Sequence, residues 1–580
     1  MNKASKLGMA VPRRIKSSAK ARQIRRRRSF SHFCMALVVA VLVSSWSYHT
    51  ASDQAFADPI LPAVAAQVSS PTAPAAALPI PVTTTLPSAA PLPSATQVDY
   101  PTPLPTLAVP SVTPTALIPT RQASDVPPAL ETPTQHTDQP PILYYAQSGD
   151  TLPAVAVRFG VSPEAIHSPN AIPGRAFLTP GQLLMIPPTP GETTNEHQLL
   201  PDSELVNSPT AVNFDINAFV QESGGFLSSY RQYMSDTGWT SGADVVKRVA
   251  SENSINPRLL LALLELRGHW IDGQPANLAE QYYPINPNLD ALHKELYYQL
   301  TWTVAQLQVG YYSWREGRLT SISYPDGSTR RLAPSLNAGT VALQYLFSKI
   351  EDEPQWNGDL YGAENGFTKV YEKLFGSAWL RDQALGTLFP PSILQPTLSL
   401  PFVRGQLWSF SGGPHSAWIR DENGGYAALD FAPASDVSGC AKSDVWVVAP
   451  AAGLVTRSEN GVVMLDLDGD GHEETGWVIM FLHIATQGRV PAGKFLDPGD
   501  LIGHPSCEGG EATGTHVHIA RKYNGEWIAA DGPLPFTLSG YVAHAGDKMY
   551  VGYLTKGAEK VTACTCGSFE TRITRPTDDP

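Results

Sequence analysis

The sequence predicts a multidomain α+β protein with a small βααβ module, a helical middle domain and a C-terminal domain on an antiparallel β-sheet core. Three observations carry this prediction. Residues 143–188 read as strand, capped helix, second helix and closing strand. Residues 211–395 place apolar side chains at three-to-four spacing, as in Ala243–Val249 and Pro257–Leu264, with an aromatic-rich run at Leu296–Tyr312. From residue 399 to 556 the pattern turns to short β-rich segments separated by turns: Val445–Val448, Gly453–Thr456, Val462–Leu467 and Val478–His483.

The 580 residues suffice for several cores, although 52 prolines, many of them between residues 58 and 140, assign part of the length to spacer. Residues 1–57 hold 11 Lys and Arg and one acid, leaving 30 basic against 52 acidic groups in the remainder. So acidic a body excludes nucleic acid as a partner. Within 1–57, Arg25–Arg28 precede the apolar run Phe33–Val43, and Ala55-Phe56-Ala57 follows as an Ala-x-Ala site. This is the layout of a secretory leader, with an uncleaved N-terminal membrane anchor as the alternative; the run falls short of the ~20 residues of a spanning helix. Either way the body lies outside the cytoplasm, secreted or associated with the cell envelope. Residues 58–140, rich in Pro, Ala, Thr and Val, cannot bury a core and form an extended linker.

At Tyr144 the character changes. Ser148-Gly149-Asp150-Thr151-Leu152 and Pro180-Gly181-Gln182-Leu183-Leu184 bracket the βααβ unit, which closely resembles a LysM module. The resemblance implies binding of N-acetylglucosamine-containing glycan between Gly149, Asp150, Thr151 and Leu152 and the segment around Asn170 and Ile172. A polar linker, 189–210, leads to the helical domain at 211–395. There Asn256-Pro257-Arg258-Leu259-Leu260-Leu261-Ala262-Leu263-Leu264-Glu265 resembles the helix that bears the acid of lytic transglycosylases. That family's acid falls at Arg267, two residues and about 200° around the helix from Glu265, so this lysozyme-like domain is expected to be inactive.

In the last domain, Thr513-Gly514-Thr515-His516-Val517-His518-Ile519 reads as a strand whose period of two sends both imidazoles to one face and Val517 and Ile519 to the other. Paired imidazoles on a rigid strand suit zinc. Upstream, His415 follows Gly412-Gly413-Pro414, and Asp430 sits in the apolar run Ala427–Pro433, where a buried carboxylate requires a partner such as a cation. His483 closes Phe481-Leu482-His483. Together with Asp497-Pro498-Gly499-Asp500-Leu501-Ile502-Gly503, these residues resemble the lysostaphin and β-lytic (LytM-type) zinc metalloendopeptidases. The resemblance implies one Zn2+ per chain on His415, Asp430 and His518, with His483 and His516 as general base and transition-state stabiliser. Many relatives carry the first histidine four residues before the aspartate, where this chain has Tyr426; the Gly-Gly-x-His start matches those with a longer loop.

Asp466-Leu467-Asp468-Gly469-Asp470-Gly471 copies the start of a calcium loop, but Trp477 stands where an EF-hand needs Glu, and a hairpin turn serves equally. The four cysteines beyond the leader allow three connectivities that sequence cannot decide; Cys440 is expected to pair with Cys507, since both lie in loops of one domain, and Cys564-x-Cys566, which could also be a metal clamp, reads as a structural disulfide. His504 and His544 receive no role, and residues 557–580 read as a tail. The whole reads as a wall-directed hydrolase whose partner and substrate is peptidoglycan, of unspecified oligomeric state. The alternative is an inactive wall-binding protein that recruits or activates another hydrolase.

Overall fold

The computed structural model describes residues 139–419, 421–435 and 438–579. The leader and almost all of the Pro-rich linker lie outside the described residues. All described residues belong to one compact unit, Val126–Pro580. Among the described residues no helix is long and apolar enough to cross a membrane.

The N-terminal module pairs β1 (Ile142–Tyr145) antiparallel with β2 (Leu183–Ile186). Thr151 caps α1 (Leu152–Phe159) through its hydroxyl, and Gly160 closes it in the left-handed region at φ 69°. Tyr144, Val155, Phe159, Leu184 and Ile186 form its core. The expected second helix is one 3-10 turn, Pro163–Ala165, because the next backbone group, His167, is drawn into a bridge with Met185.

The helical layer contains the hairpin β3 (Arg231–Met234) and β4 (Gly238–Ser241), then α2 (Gly242–Asn253), α3 (Pro257–Gly268), α4 (Leu296–Arg315) and α5 (Ala338–Ser348), with shorter helices around them. Leu259–Leu264 of α3 are all buried, as a helix apolar on every side must be. Of residues 189–210, read as linker, 190–197 are exposed apart from Thr194, but 199–210 are packed: Leu199, Leu200, Leu205 and Val206 join the helical core, and buried Glu204 is paired with Arg381 at 2.7 Å.

The C-terminal sheet holds β5 (Leu407–Ser416), β6 (Tyr426–Pro433), β7 (Gly453–Glu459), β8 (Val462–Asp466), β9 (Trp477–Leu482), β10 (Phe495–Leu496), β11 (Val517–Tyr523), β12 (Glu526–Trp527) and β13 (Arg572–Thr574). Its order is β10-β7-β8-β9-β11-β6-β5-β13, all antiparallel, with β12 also paired to β11. The supposed tail is therefore a correction: Ile573 pairs with Trp408, so residues 572–574 are an edge strand of the main sheet.

Alternation along the strands splits the sheet between two cores. Phe431, Leu465, Ile479, Phe481, Val517 and Ile519 face one. Ala428, Met464, Val478, Met480 and Ala520 face the helices and share their core. Burial on both faces explains why these strands read as continuous apolar runs.

Candidate metal centre

Asp430 and His518 are direct cross-strand partners on β6 and β11, and they point to the face shared with Ala428 and Ala520, toward the helical layer. Across β6 on its other side, Gly412 of β5 pairs with Asp430 and His415 with Ala428. Three residues of β5 thus span two of β6, and this bulge swings His415 toward the carboxylate. Gly412 is required here: a Cβ would stand 2.5 Å from Asp430 Oδ2. Gly412→Ala is expected to displace the carboxylate and weaken metal binding roughly 10- to 100-fold, the range seen for outer partners of metal ligands, as read by competition with a chelator.

The side chains converge closely. His415 Nε2 lies 3.0 Å from His518 Nδ1 and 3.3 Å from Asp430 Oδ1, and His518 Nδ1 lies 3.2 Å from Asp430 Oδ1. The opposite ring nitrogens are engaged with carbonyls, which can only accept. His415 Nδ1 donates to Gly413 O at 2.8 Å, and His518 Nε2 donates to Ala417 O at 2.9 Å. The converging atoms are therefore two imidazole lone pairs and a carboxylate oxygen, three acceptors without a donor. Asp430 Oδ1 is buried with no hydrogen bond. Such a cluster fits a cation, and its 3.0–3.3 Å edges match the ~3.3 Å edge of a tetrahedron with zinc–ligand bonds of about 2.0–2.1 Å.

Burial alone would push the Asp430 carboxyl up, but the surrounding imidazoles of His415, His518 and His516 outweigh it and hold it well below the usual carboxylate range. Burial, despite Asp430, lowers the His518 pKa, which disfavours an imidazolium as the missing donor.

His516 and His483 flank the cluster. His516 Nδ1 donates to Gly514 O at 2.7 Å, leaving Nε2 3.7 Å from Asp430 Oδ1. His483 follows β9 with φ at 66°, its Nδ1 donates to Glu508 O at 2.9 Å, and its ring centroid lies 4.4 Å from that of His516. Burial, with His516 and His518 adding to it, pushes the His483 pKa down to about 3. It is thus neutral at pH 7.

The five residues singled out in the sequence, His415, Asp430, His483, His516 and His518, all line one cleft of about 1410 Å3. The sequence did not reveal the carbonyls that fix the tautomers, the ring of Tyr550 stacked on His415 at 4.2 Å, or the opposite wall, where Arg248, Glu252 and Tyr297 come from the helical layer. Backbone carbonyls leave no mark in a sequence, and Arg248 and Glu252 look like an ordinary helical ion pair.

Other expectations fare differently. Of the glycan-loop residues, Gly149 and Asp150 are buried: a Cβ on Gly149 would meet the Arg315 guanidinium, and Asp150 is paired with Arg158 at 2.7 Å and accepts from Tyr144 OH at 2.6 Å. Helix α4 covers this part of the loop, so the two residues cannot face a ligand. Thr151, Leu152 and Ile172 are half-buried, and Asn170 is exposed. Glu265 Oε2 accepts from Ile271 N at 2.9 Å and Asp272 N at 3.2 Å, which makes it a structural cap. Asp466, Asp468 and Asp470 do lie near one another, but calcium finds no support: Asp466 accepts from Asp468 N and Gly471 N, shaping the turn between β8 and β9. Cys440 pairs with Cys507, and Cys564 with Cys566. His504 stacks on Trp446 and His544 meets Thr555, away from the cluster.

Residues 144–187 match the LysM domain family, and residues 198–388 match the family described as LasA, N-terminal domain. Protease LasA of Pseudomonas aeruginosa is 26% identical over 302 residues, 48% of this chain and 65% of LasA. Beta-lytic metalloendopeptidase of Achromobacter lyticus is 29% identical over 170 residues, 28% of this chain and 43% of the relative. The chain thus spans just under two thirds of LasA and less than half of the beta-lytic enzyme. Among solved structures, the M23 metalloprotease pseudoalterin is 25% identical, with 29% of this chain and 96% of that one covered at a TM-score of 0.25.

Proposed function

We propose that this chain, which carries a LysM domain and is related to LasA and the beta-lytic metalloendopeptidase, is an exported zinc metalloendopeptidase that hydrolyses peptide bonds in bacterial peptidoglycan. The observation that carries the proposal is the donor-free meeting of His415 Nε2, Asp430 Oδ1 and His518 Nδ1 at the floor of a cleft. Three protein ligands with an open fourth position are the catalytic arrangement, whereas four would be structural.

Zinc, when bound, supplies Lewis acidity that lowers the pKa of water to about 7 and polarises a carbonyl. The chain's own groups supply the rest. His483, with Nδ1 occupied by Glu508 O, offers Nε2 to take a proton from the attacking water and return it to the leaving amine. His516, oriented by Gly514 O, is placed to hydrogen-bond the developing oxyanion once it carries a proton on Nε2. Deep burial of Asp430, His415 and His518 excludes bulk water and strengthens each of these interactions.

The LysM module holds the enzyme at the wall, raising the local concentration of peptide stems. With Gly149 and Asp150 covered, its glycan contacts fall to Thr151, Leu152, Asn170 and Ile172. The division into a LysM module, a helical domain and a peptidase domain supports this reading, with residues 199–210 and 572–574 belonging to the packed body.

The test is direct. The purified protein should hold one zinc per chain and release peptides with new amino and carboxyl ends from purified peptidoglycan, as read by mass spectrometry. A chelator should abolish the release. A metal-free protein that binds wall without cleaving it would instead favour the recruiting role. His516→Ala is expected to lower kcat by about 10²- to 10⁴-fold while zinc content stays at one per chain. Metal analysis beside the kinetics separates loss of chemistry from loss of the ion.

A further inference from the structure

We infer that the helical layer supplies a second groove, continuous with the metal cleft, that binds the uncharged sugar portion of the wall polymer whose peptide is being cut. The inference rests on the peptidase reading above and extends its substrate from a peptide to a glycopeptide.

The groove measures about 840 Å3 and runs between the β3–β4 hairpin and, in the β domain, the end of β7 with its following turn (458–460) and residues 508–509. Arg248, Tyr297 and Gly509 line both this groove and the metal cleft, so a bound polymer can run from one into the other. The junction lies beside the reacting groups, since Glu508 O accepts from His483 Nδ1 and precedes Gly509.

Two of its lining residues hold large rings in water: Tyr233 is 62% exposed and Tyr298 50%. Tyr233 is braced by its cross-strand partner Trp239, itself exposed, with ring centroids 5.8 Å apart in an edge-to-face arrangement. Tyr298 is braced in the same manner by Tyr297, at 5.5 Å. Rigid aromatic faces beside polar groups suit a pyranose, whose C–H face is apolar and whose hydroxyls seek hydrogen bonds. Asn460 in the groove lining is a polar group of this kind.

Charge decides between the sugar and the stem peptide as occupant. The lining holds Asp236, Glu459 and Glu508 against Arg248 and Arg489. Arg248 is already paired with Asp236 and Glu252, both at 2.8 Å, and Arg489 donates to Ile484 O and lies 4.0 Å from Glu508. A lining with acids in excess and its guanidinium groups engaged repels the carboxylates of a stem peptide and admits a neutral ring.

The test uses the zinc-loaded full chain and the variant Tyr233→Ala/Tyr298→Ala, which alters only exposed side chains. Two substrates are compared: disaccharide-bearing peptides from peptidoglycan, and the same peptides freed of sugar. For the sugar-bearing substrate, KM should rise about tenfold with kcat unchanged, as two stacking contacts warrant. The sugar-free substrate should be unaffected. An unchanged KM on both, or an equal rise on both, overturns the inference. Should the parent protein cleave neither substrate, the peptidase reading falls separately, and titration of peptide-free glycan strands decides the groove. About tenfold weaker binding by the variant supports it, and equal affinity assigns all glycan binding to the LysM module.

Discussion

Asp430→Asn is expected to lose zinc and hydrolysis together, yet to be more stable than the parent protein in the presence of a chelator. The reasoning follows from the acceptor-only cluster. Without a cation, Asp430 Oδ1 faces His415 Nε2 and His518 Nδ1 at 3.3 and 3.2 Å with no proton between them. An asparagine brings two N–H donors to the same place and can satisfy one imidazole, a gain of about 1 kcal/mol for a hydrogen bond newly made. With zinc at a hundredfold excess over its Kd the order inverts, because the parent gains about 2.7 kcal/mol by linkage and the variant does not. Hydrolysis should fall by more than the roughly 100-fold that loss of an outer partner costs. Thermal melts of both proteins, with zinc and with chelator, provide the check. A carboxylate serving only the fold would make the variant less stable in both conditions, and that result would remove the metal centre.

The centre was legible in the sequence because its residues break local rules. An aspartate in the apolar run Ala427–Pro433 has no packing reason to be there, and His516-x-His518 sets two polar rings on one side of a buried strand. What the sequence concealed depends on partners far along the chain. The bulge that turns His415 inward appears only once β5 is paired with β6. Residues 189–210 look like linker because Ser203, Glu204 and Ser208 are polar, but Glu204 finds Arg381, and Ser203 donates to Asp382 at 2.6 Å. The edge strand Arg572–Thr574 looks like a tail in the sequence because its partner, β5, begins at Leu407. The burial of Gly149 is likewise set by Arg315, 166 residues away. Local pattern reports which residues are unusual, and tertiary pairing decides what they meet.

The second large effect is expected at Arg315, which joins all three parts of the body. Its guanidinium donates to Ser148 O of the LysM loop, lies 3.0 Å from Asp202 Oδ2 and meets Glu526 Oε2 of β12 at 3.0 Å. Arg315→Met keeps much of the apolar stem but leaves the buried Glu526 carboxylate with only Tyr311 OH, at 2.7 Å, as donor. Breaking a buried pair from one side costs about 3–5 kcal/mol. Burial already raises the Glu526 pKa, and Arg315 is the main group lowering it, so the variant raises it further. A group whose folded pKa exceeds its unfolded value stabilises fully below the unfolded value, about 4.3 for Glu, and loses that contribution as pH rises through the folded pKa. The penalty of Arg315→Met should therefore be small near pH 4 and grow as pH rises through the raised folded pKa of Glu526. Denaturant titrations across that range measure it, and a pH-independent penalty would mean that lost packing, not the stranded carboxylate, is responsible. Arg315→Met/Glu526→Gln should recover part of the stability at pH 7 and flatten the profile, because the amide carries no charge to bury. Since β12 pairs with β11, which carries His518, the same variant tests whether LysM docking and the metal centre are coupled: zinc affinity should fall along with stability as pH rises.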